Sequence, residues 1–331
     1  MNGIWVQSYG VETAQQANAQ LDRFRSVGID TLFYNVHERG ARYNSAFYPL
    51  STSMKKGFDA LGYLIERGHA RDMKVFAWLS FGADLFPLNS AWSVPEGDFT
   101  DFSKADARKR MGDVVADIVA NYAAIDGFAL DYMRHRGLVD EVPQRYAAED
   151  VTDAVARIHA AAQGRTIGAS VKAYKNDWVR WAQNWPNWLR DGLIDWVMPM
   201  AYKPLDNVWG DFATHVNAWL GAAAHEKIIP LLSVVDTAQQ GEPLKPASQL
   251  VAEIAFFRKH KFAEFAWFDQ RASDEQLAAI KAALPEGTSG MAATLLTMAE
   301  ALESLAGQQE ALAAELRKKA VGLRTIAESC S

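Results

Sequence analysis

The sequence predicts a (β/α)8 barrel followed by a C-terminal coiled-coil helix. Short apolar, β-branched or aromatic runs recur eight times, with helical periodicity between them, over about the first 285 residues. Eight such units is the arithmetic of a closed parallel barrel. A doubly wound open sheet is the rival, and the lack of a glycine-rich nucleotide fingerprint argues against it. After Gly290 the strand signal ends and Ala/Leu heptads take over.

The units read in order. A first strand is expected at residues 3–7. The helix after it, over 13–27, carries Ala17, Leu21 and Phe24 on one face and stops at Gly28. Strand two is expected at 29–36, and a loop bearing His37, Glu38, Arg42 and Tyr43 leads to a helix at 58–72. Strand three, 74–81, precedes a long loop with Asp84 and Trp92, and a helix at 104–124 follows. Strand four, 127–132, is the most informative, because its apolar run ends in Asp131, Tyr132 and Arg134. The remaining strands are expected at 166–172, 194–200, 227–234 and 263–268, with helices at 148–163, 187–191, 212–223, 247–260 and 273–284. Pro285, Gly287 and Gly290 mark the end of a barrel domain at 1–286.

In the tail, Leu295, Leu302, Gln309, Leu316, Leu323 and Cys330 fall seven apart, and Met298, Leu305, Leu312, Lys319 and Ile326 fill the intervening register. That pattern predicts an oligomerising coiled coil over 291–331, with a helix folded back on the barrel as the other reading. Glu300, Glu303, Glu310, Glu315 and Arg317 make it too polar for a membrane span.

Composition narrows the function. A net charge of −6 and the lack of a long basic run exclude a nucleic-acid surface. The one cysteine, Cys330, excludes a disulfide framework. The seven histidines are scattered without metal-ligand spacing, and no phosphate loop or serine elbow is present, so neither metal nor cofactor is expected. Residues 1–6 show no basic or apolar leader, so no secretory signal is expected. The compartment stays open between the cytoplasm, a virion and a trimmed secreted product.

The chemistry then falls to carboxylates, Tyr, Lys, Arg and aromatics, which suits glycoside cleavage by two carboxyl groups. Asp131 is the first candidate, since a carboxylate buried at a strand end needs a partner or a task. The second is Asp269, which ends the run Phe265-Ala266-Trp267-Phe268-Asp269 in the same way. Arg134 is placed to hold Asp131 ionised, and Tyr132, as the next residue, is expected to pack outside the barrel. Glu38, Asp84, Tyr202 and Lys172 stand at other strand ends as substrate-binding candidates. Trp78, Trp92, Trp178, Trp181, Trp185 and Trp267 are candidate sugar platforms, with Trp78, Trp178 and Trp267 preferred.

Several segments in combination resemble the glycosyl-hydrolase-like family ten. They are Gly3-Ile4-Trp5-Val6, Val27-Gly28-Ile29-Asp30-Thr31-Leu32-Phe33, Met73-Lys74-Val75-Phe76-Ala77-Trp78-Leu79, Asp126-Gly127-Phe128-Ala129-Leu130-Asp131-Tyr132-Met133-Arg134, Gly168-Ala169-Ser170-Val171-Lys172 and Asp195-Trp196-Val197-Met198-Pro199-Met200-Ala201-Tyr202. The resemblance spans about residues 1–284. It implies a TIM barrel acting on polysaccharide, similar to domains that cut partly deacetylated poly-N-acetylglucosamine, with Asp131 at the catalytic position. Members of that family usually carry an export signal, and the heptad tail is not part of the family pattern. The combination suggests a phage-borne depolymerase of a bacterial surface or exopolysaccharide. Two other readings stand beside it: a non-catalytic carbohydrate-binding barrel made multivalent by the tail, and a Schiff-base lyase or aldolase using Lys172.

Overall fold

Residues two apart along a strand share a face, and in this chain that alternation sorts two cores. In the computed structural model, which describes residues 1–38, 40–85, 88–95, 99–135, 146–173, 177–202, 209–237 and 239–284, eight parallel strands close into a barrel in chain order. They are β1 (Asn2–Val6), β2 (Thr31–Asn35), β3 (Lys74–Leu79), β4 (Gly127–Leu130), β5 (Thr166–Val171), β6 (Trp196–Ala201), β7 (Leu231–Ser233) and β8 (Phe265–Phe268). The barrel closes where Ile4 of β1 lies opposite both Leu32 of β2 and Trp267 of β8.

One set of alternating residues fills the barrel axis. Trp5, Phe33, Phe76, Trp78, Trp196 and Met198 pack there, and rings from opposite walls meet: Phe33 and Trp196 lie 5.8 Å apart. Burying each such ring contributes about 1.5–3 kcal/mol. Gly168 of β5 explains how so large a ring as Trp196 fits, since any Cβ there would collide with it. The other set, including Ile4, Leu32 and Trp267, is fully or almost fully buried on the outer face of the sheet.

The helices described are α1 (Ala14–Arg25), α2 (Thr52–Lys55), α3 (Ala60–His69), α4 (Phe81–Asp84), α5 (Ala105–Asn121), α6 (Ala148–Ala161), α7 (Asp177–Arg180), α8 (Trp185–Arg190), α9 (Trp209–Ala222), α10 (Ala247–Lys259) and α11 (Asp274–Ala283). Their ends follow capping chemistry: Thr13 accepts from the Gln16 N–H at 3.2 Å, and Asp59 from the Gly62 N–H at 3.0 Å. As expected, α1 buries Ala17, Leu21 and Phe24. None of the helices described is long and apolar enough to cross a membrane.

Among the differences from the sequence reading, three bear on the C-terminal ends of the strands. β4 stops at Leu130, because the backbone turns at Tyr132. β7 is only three residues long, starting after Pro230, which has no N–H to give to a ladder. The loop after strand three begins with the single-turn helix α4, which carries Asp84. Residues 1–279 form one compact unit and 280–331 a second. The proposed coiled coil at 291–331 lies outside the described residues.

Candidate active site

The ends of β4 and β5 deliver the central carboxylate. The Asp131 N–H donates to the Leu79 carbonyl at 2.9 Å, so Asp131 extends the ladder just past β4. Ala129 faces the barrel axis, and Asp131, two residues on, points the same way. The chain then reverses at Tyr132, whose φ of 54° is left-handed and costs a non-glycine residue roughly 1 kcal/mol. The reversal aims the Tyr132 N–H at Asp131 Oδ1, 2.8 Å away, and the Ser170 hydroxyl donates to the same oxygen at 2.6 Å. Gly82 in α4 makes room, since a Cβ there would collide with the Tyr132 carbonyl oxygen. The expectation that Tyr132 packs outside the barrel is therefore corrected: the left-handed turn breaks the alternation, and Tyr132 lines the same cleft as Asp131.

That cleft, about 480 Å3, lies across the C-terminal ends of the strands, where barrels of this type place their chemistry. It brings together Asp131, Asp84, Glu38, Arg134, Tyr202 and Trp78. The Asp84 carboxyl is strongly perturbed. Burial, and next the charge of Asp131, push its pKa from 3.8 up to about 7. Asp131 is also raised, first by burial; the Ser170 hydrogen bond, the Arg134 charge and the Tyr132 N–H oppose the rise. The expected role of Arg134 in favouring the ionised form is thus present but outweighed by burial. Trp78 Nε1 also eases the ionisation of Asp131, without reaching hydrogen-bonding geometry. Glu38 accepts from the Ser8 N–H at 3.1 Å and the Ser8 hydroxyl at 3.0 Å, which ties the ends of β1 and β2 together.

Arg134 is buried between two rings, 4.8 Å from the Tyr132 centroid and 4.7 Å from that of Trp181. It donates to the His135 carbonyl at 3.0 Å and has no carboxylate within ion-pair distance among the described residues. Tyr202 stacks on Phe268, with centroids 5.6 Å apart and planes at 24°. Phe268 also lines the cleft, and sequence reasoning missed it.

The remaining candidates stand elsewhere. Trp267 is corrected as a sugar platform: it is fully buried, on the opposite face of β8 from Ala266. Asp269 is not in the cleft wall. It is 2% exposed and engages Arg271, whose Nε lies 3.0 and 3.2 Å from its two oxygens, and Arg271 in turn donates to Glu242 at 2.9 Å. Lys172 Nζ sits 4.2 Å from the Trp181 ring centroid and is not among the residues lining this cleft. Trp178 packs edge-on against the buried Trp185 at 5.4 Å. Trp92 lies beside Arg110. No cluster of three His, Cys, Asp or Glu able to hold a metal ion occurs among the described residues.

No family model matches the chain, and no curated protein matches it. Solved structures do. The PgaB (BpsB) glycoside hydrolase domain from Bordetella bronchiseptica aligns with a TM-score of 0.64 at 12% identity, covering 86% of this chain and 98% of that one. A glycoside hydrolase family 18 N-acetylglucosaminidase from Paenibacillus barengoltzii aligns with a TM-score of 0.56 at 11% identity, covering 86% and 99%. A family 18 chitinase from Cycas revoluta, solved with allosamidin, aligns with a TM-score of 0.57 at 12% identity, covering 86% and 98%. The chain thus has the closed barrel found in these glycoside hydrolases and a distant similarity to the PgaB domain. At such identities the likeness is one of fold.

Proposed function

We propose that this protein is a glycoside hydrolase whose working pair is Asp131 and Asp84, acting on a bacterial cell-surface or exopolysaccharide. One observation carries the proposal: in a single cleft, burial and the charge of Asp131 push the Asp84 carboxyl to about 7, while two donors hold Asp131 by one oxygen. Burial raises both carboxyls, and the two donors and the Arg134 charge oppose the rise at Asp131 alone, an asymmetry that suits Asp84 to the acid's role and Asp131 to the carboxylate's. Asp84, protonated, gives its proton to the glycosidic oxygen as the bond breaks. Asp131, ionised, faces the positive charge that develops on the sugar ring; a water oxygen then bonds to the anomeric carbon, and the proton that this water sheds restores Asp84. The Phe268–Tyr202 stack and Trp78 offer apolar faces to sugar rings. Asp84 replaces Asp269 as the proposed partner, because Asp269 is engaged by Arg271.

The barrel shared with the glycoside hydrolases above supports the reaction class. Their N-acetylglucosamine chemistry makes chitin oligomers and partly deacetylated poly-N-acetylglucosamine the first substrates to test. Product release should be seen from the parent protein and collapse in Asp131→Asn while glycan binding persists. Binding without turnover across a broad glycan panel would instead favour the carbohydrate-binding reading. The oligomerising tail and a phage-borne origin belong to the same proposal and rest on the heptads; a monomer by light scattering, with residues 291–331 present, removes that part of it.

A further inference from the structure

Asp131 is held on one side only. Both of its donors, the Tyr132 N–H at 2.8 Å and the Ser170 hydroxyl at 2.6 Å, meet Oδ1, and Oδ2 accepts no hydrogen bond among the described residues. Ser170 is 2% exposed. It lies on β5 two residues after Gly168, which faces the barrel axis beneath Trp196, so its side chain rises from the barrel floor on the Asp131 side.

A second buried side chain fixes the spacing of the two strands. Gln183 is fully buried and spans the ends of β4 and β5. Its Nε2 donates to the Met133 carbonyl at 3.4 Å and the Ser170 carbonyl at 3.3 Å, and its Oε1 accepts from the Lys172 N–H at 2.8 Å. With its amide shared across both strands, Ser170 and Asp131 have little freedom to part. A hydroxyl has one proton, and Ser170 gives it to the carboxylate rather than to a backbone carbonyl.

We propose that Ser170 is a positioning residue, anchoring Asp131 through Oδ1 so that Oδ2 is the oxygen presented to the substrate. The inference rests on the reading of Asp131 as the ionised carboxylate of a glycoside hydrolase. The hydroxyl favours the charged form over the neutral one, because a carboxylate accepts a hydrogen bond more strongly than a carboxylic acid does. It also fixes the carboxylate plane, which a reaction at one defined oxygen requires.

Two measurements test this on the full chain. The first is the pH profile of kcat on the N-acetylglucosamine tetramer and on partly deacetylated poly-N-acetylglucosamine. The second is the carboxyl-carbon NMR titration of Asp131, assigned by comparison with Asp131→Asn. Ser170→Ala should move the acid limb and the Asp131 titration upward together by about one pH unit and lower kcat about tenfold, with KM little changed. Ser170→Cys, nearly isosteric and a weaker donor, should shift both in the same direction by less. Ser170→Thr, which keeps the hydroxyl, should restore both. An Asp131 titration that stays in place in a folded Ser170→Ala protein overturns the proposal, as does a fall in kcat with an unmoved acid limb. If the parent turns over no glycan yet the Asp131 titration rises in Ser170→Ala and returns in Ser170→Thr, the anchoring stands and the hydrolase reading falls.

Discussion

The ends of β4 and β8 look alike in sequence and behave oppositely in the fold. Each is an apolar run closing on an aspartate, with an arginine soon after: Asp131 and Arg134 on one, Asp269 and Arg271 on the other. At β4 the aspartate is in phase with Ala129, which faces the barrel axis, so it enters the cleft. At β8 the inward residues are Ala266 and Phe268, and Asp269, the next residue, is not among those lining the cleft. The arginines diverge as well. Arg134 is stacked between aromatic rings beside the cleft, whereas Arg271 clasps Asp269 and reaches on to Glu242 at the cleft wall. What each carboxylate engages separates a candidate catalytic group, held by a hydroxyl and a backbone N–H, from one clasped by an arginine.

Substitutions at the two ends should break or sharpen this contrast. The largest effect is expected at Asp131→Asn, with kcat/KM on a cleaved glycan falling about a thousandfold or more. An effect of that size at Asp269→Asn would overturn the contrast.

Next comes Asp84→Asn, which should lower kcat about a hundredfold and remove the alkaline limb near pH 7 from the activity profile. It should also act on stability. The carboxyl of Asp84 is raised from 3.8 to about 7 in the fold, so between those values the unfolded chain releases a proton that the native state keeps. Native stability therefore falls as pH rises through that window. Asp84→Asn should escape the fall, gaining about 1–3 kcal/mol over the parent at pH 8 and nothing at pH 3 in chemical denaturation.

Neighbouring aromatics of β8 give the third comparison. Phe268→Ala should raise KM about tenfold with a modest loss of stability, since its ring lines the cleft. Trp267→Ala should instead lose about 3–5 kcal/mol of stability, since its ring is wholly buried. Equal KM effects from the two would show that the faces of β8 are not separated as described.

The smallest catalytic effect belongs to Asp269→Asn. Turnover should stay within about threefold of the parent, with a stability loss of about 1–3 kcal/mol from the weakened Arg271 clasp, read by thermal melting.

Much of the fold was legible because a parallel barrel repeats one simple unit. Strand, helix and turn each leave a local mark, such as Thr13 and Asp59 at helix starts or Gly28 at a helix end. Asp131 was legible for the same reason: a lone carboxylate closing an apolar run is a local anomaly. Phe268 was not, because an inward and an outward aromatic have the same composition and only the strand's phase tells them apart. Asp84 was named among the loop residues, but its perturbation arises from burial and from Asp131, a residue 47 positions away.

By itself, then, the amino-acid order determined the number of strands, their alternation with helices and the carboxylate at the end of the fourth. Those properties are written in hydrophobic periodicity and short-range punctuation, which act within a few residues. Tertiary structure alone decided the inward phase of β8, the left-handed turn that swings Tyr132 into the cleft, and the meeting of Asp84 with Asp131. Each of these depends on closure of the barrel, which brings distant strand ends within a few ångströms and removes the water that would otherwise keep their charges independent.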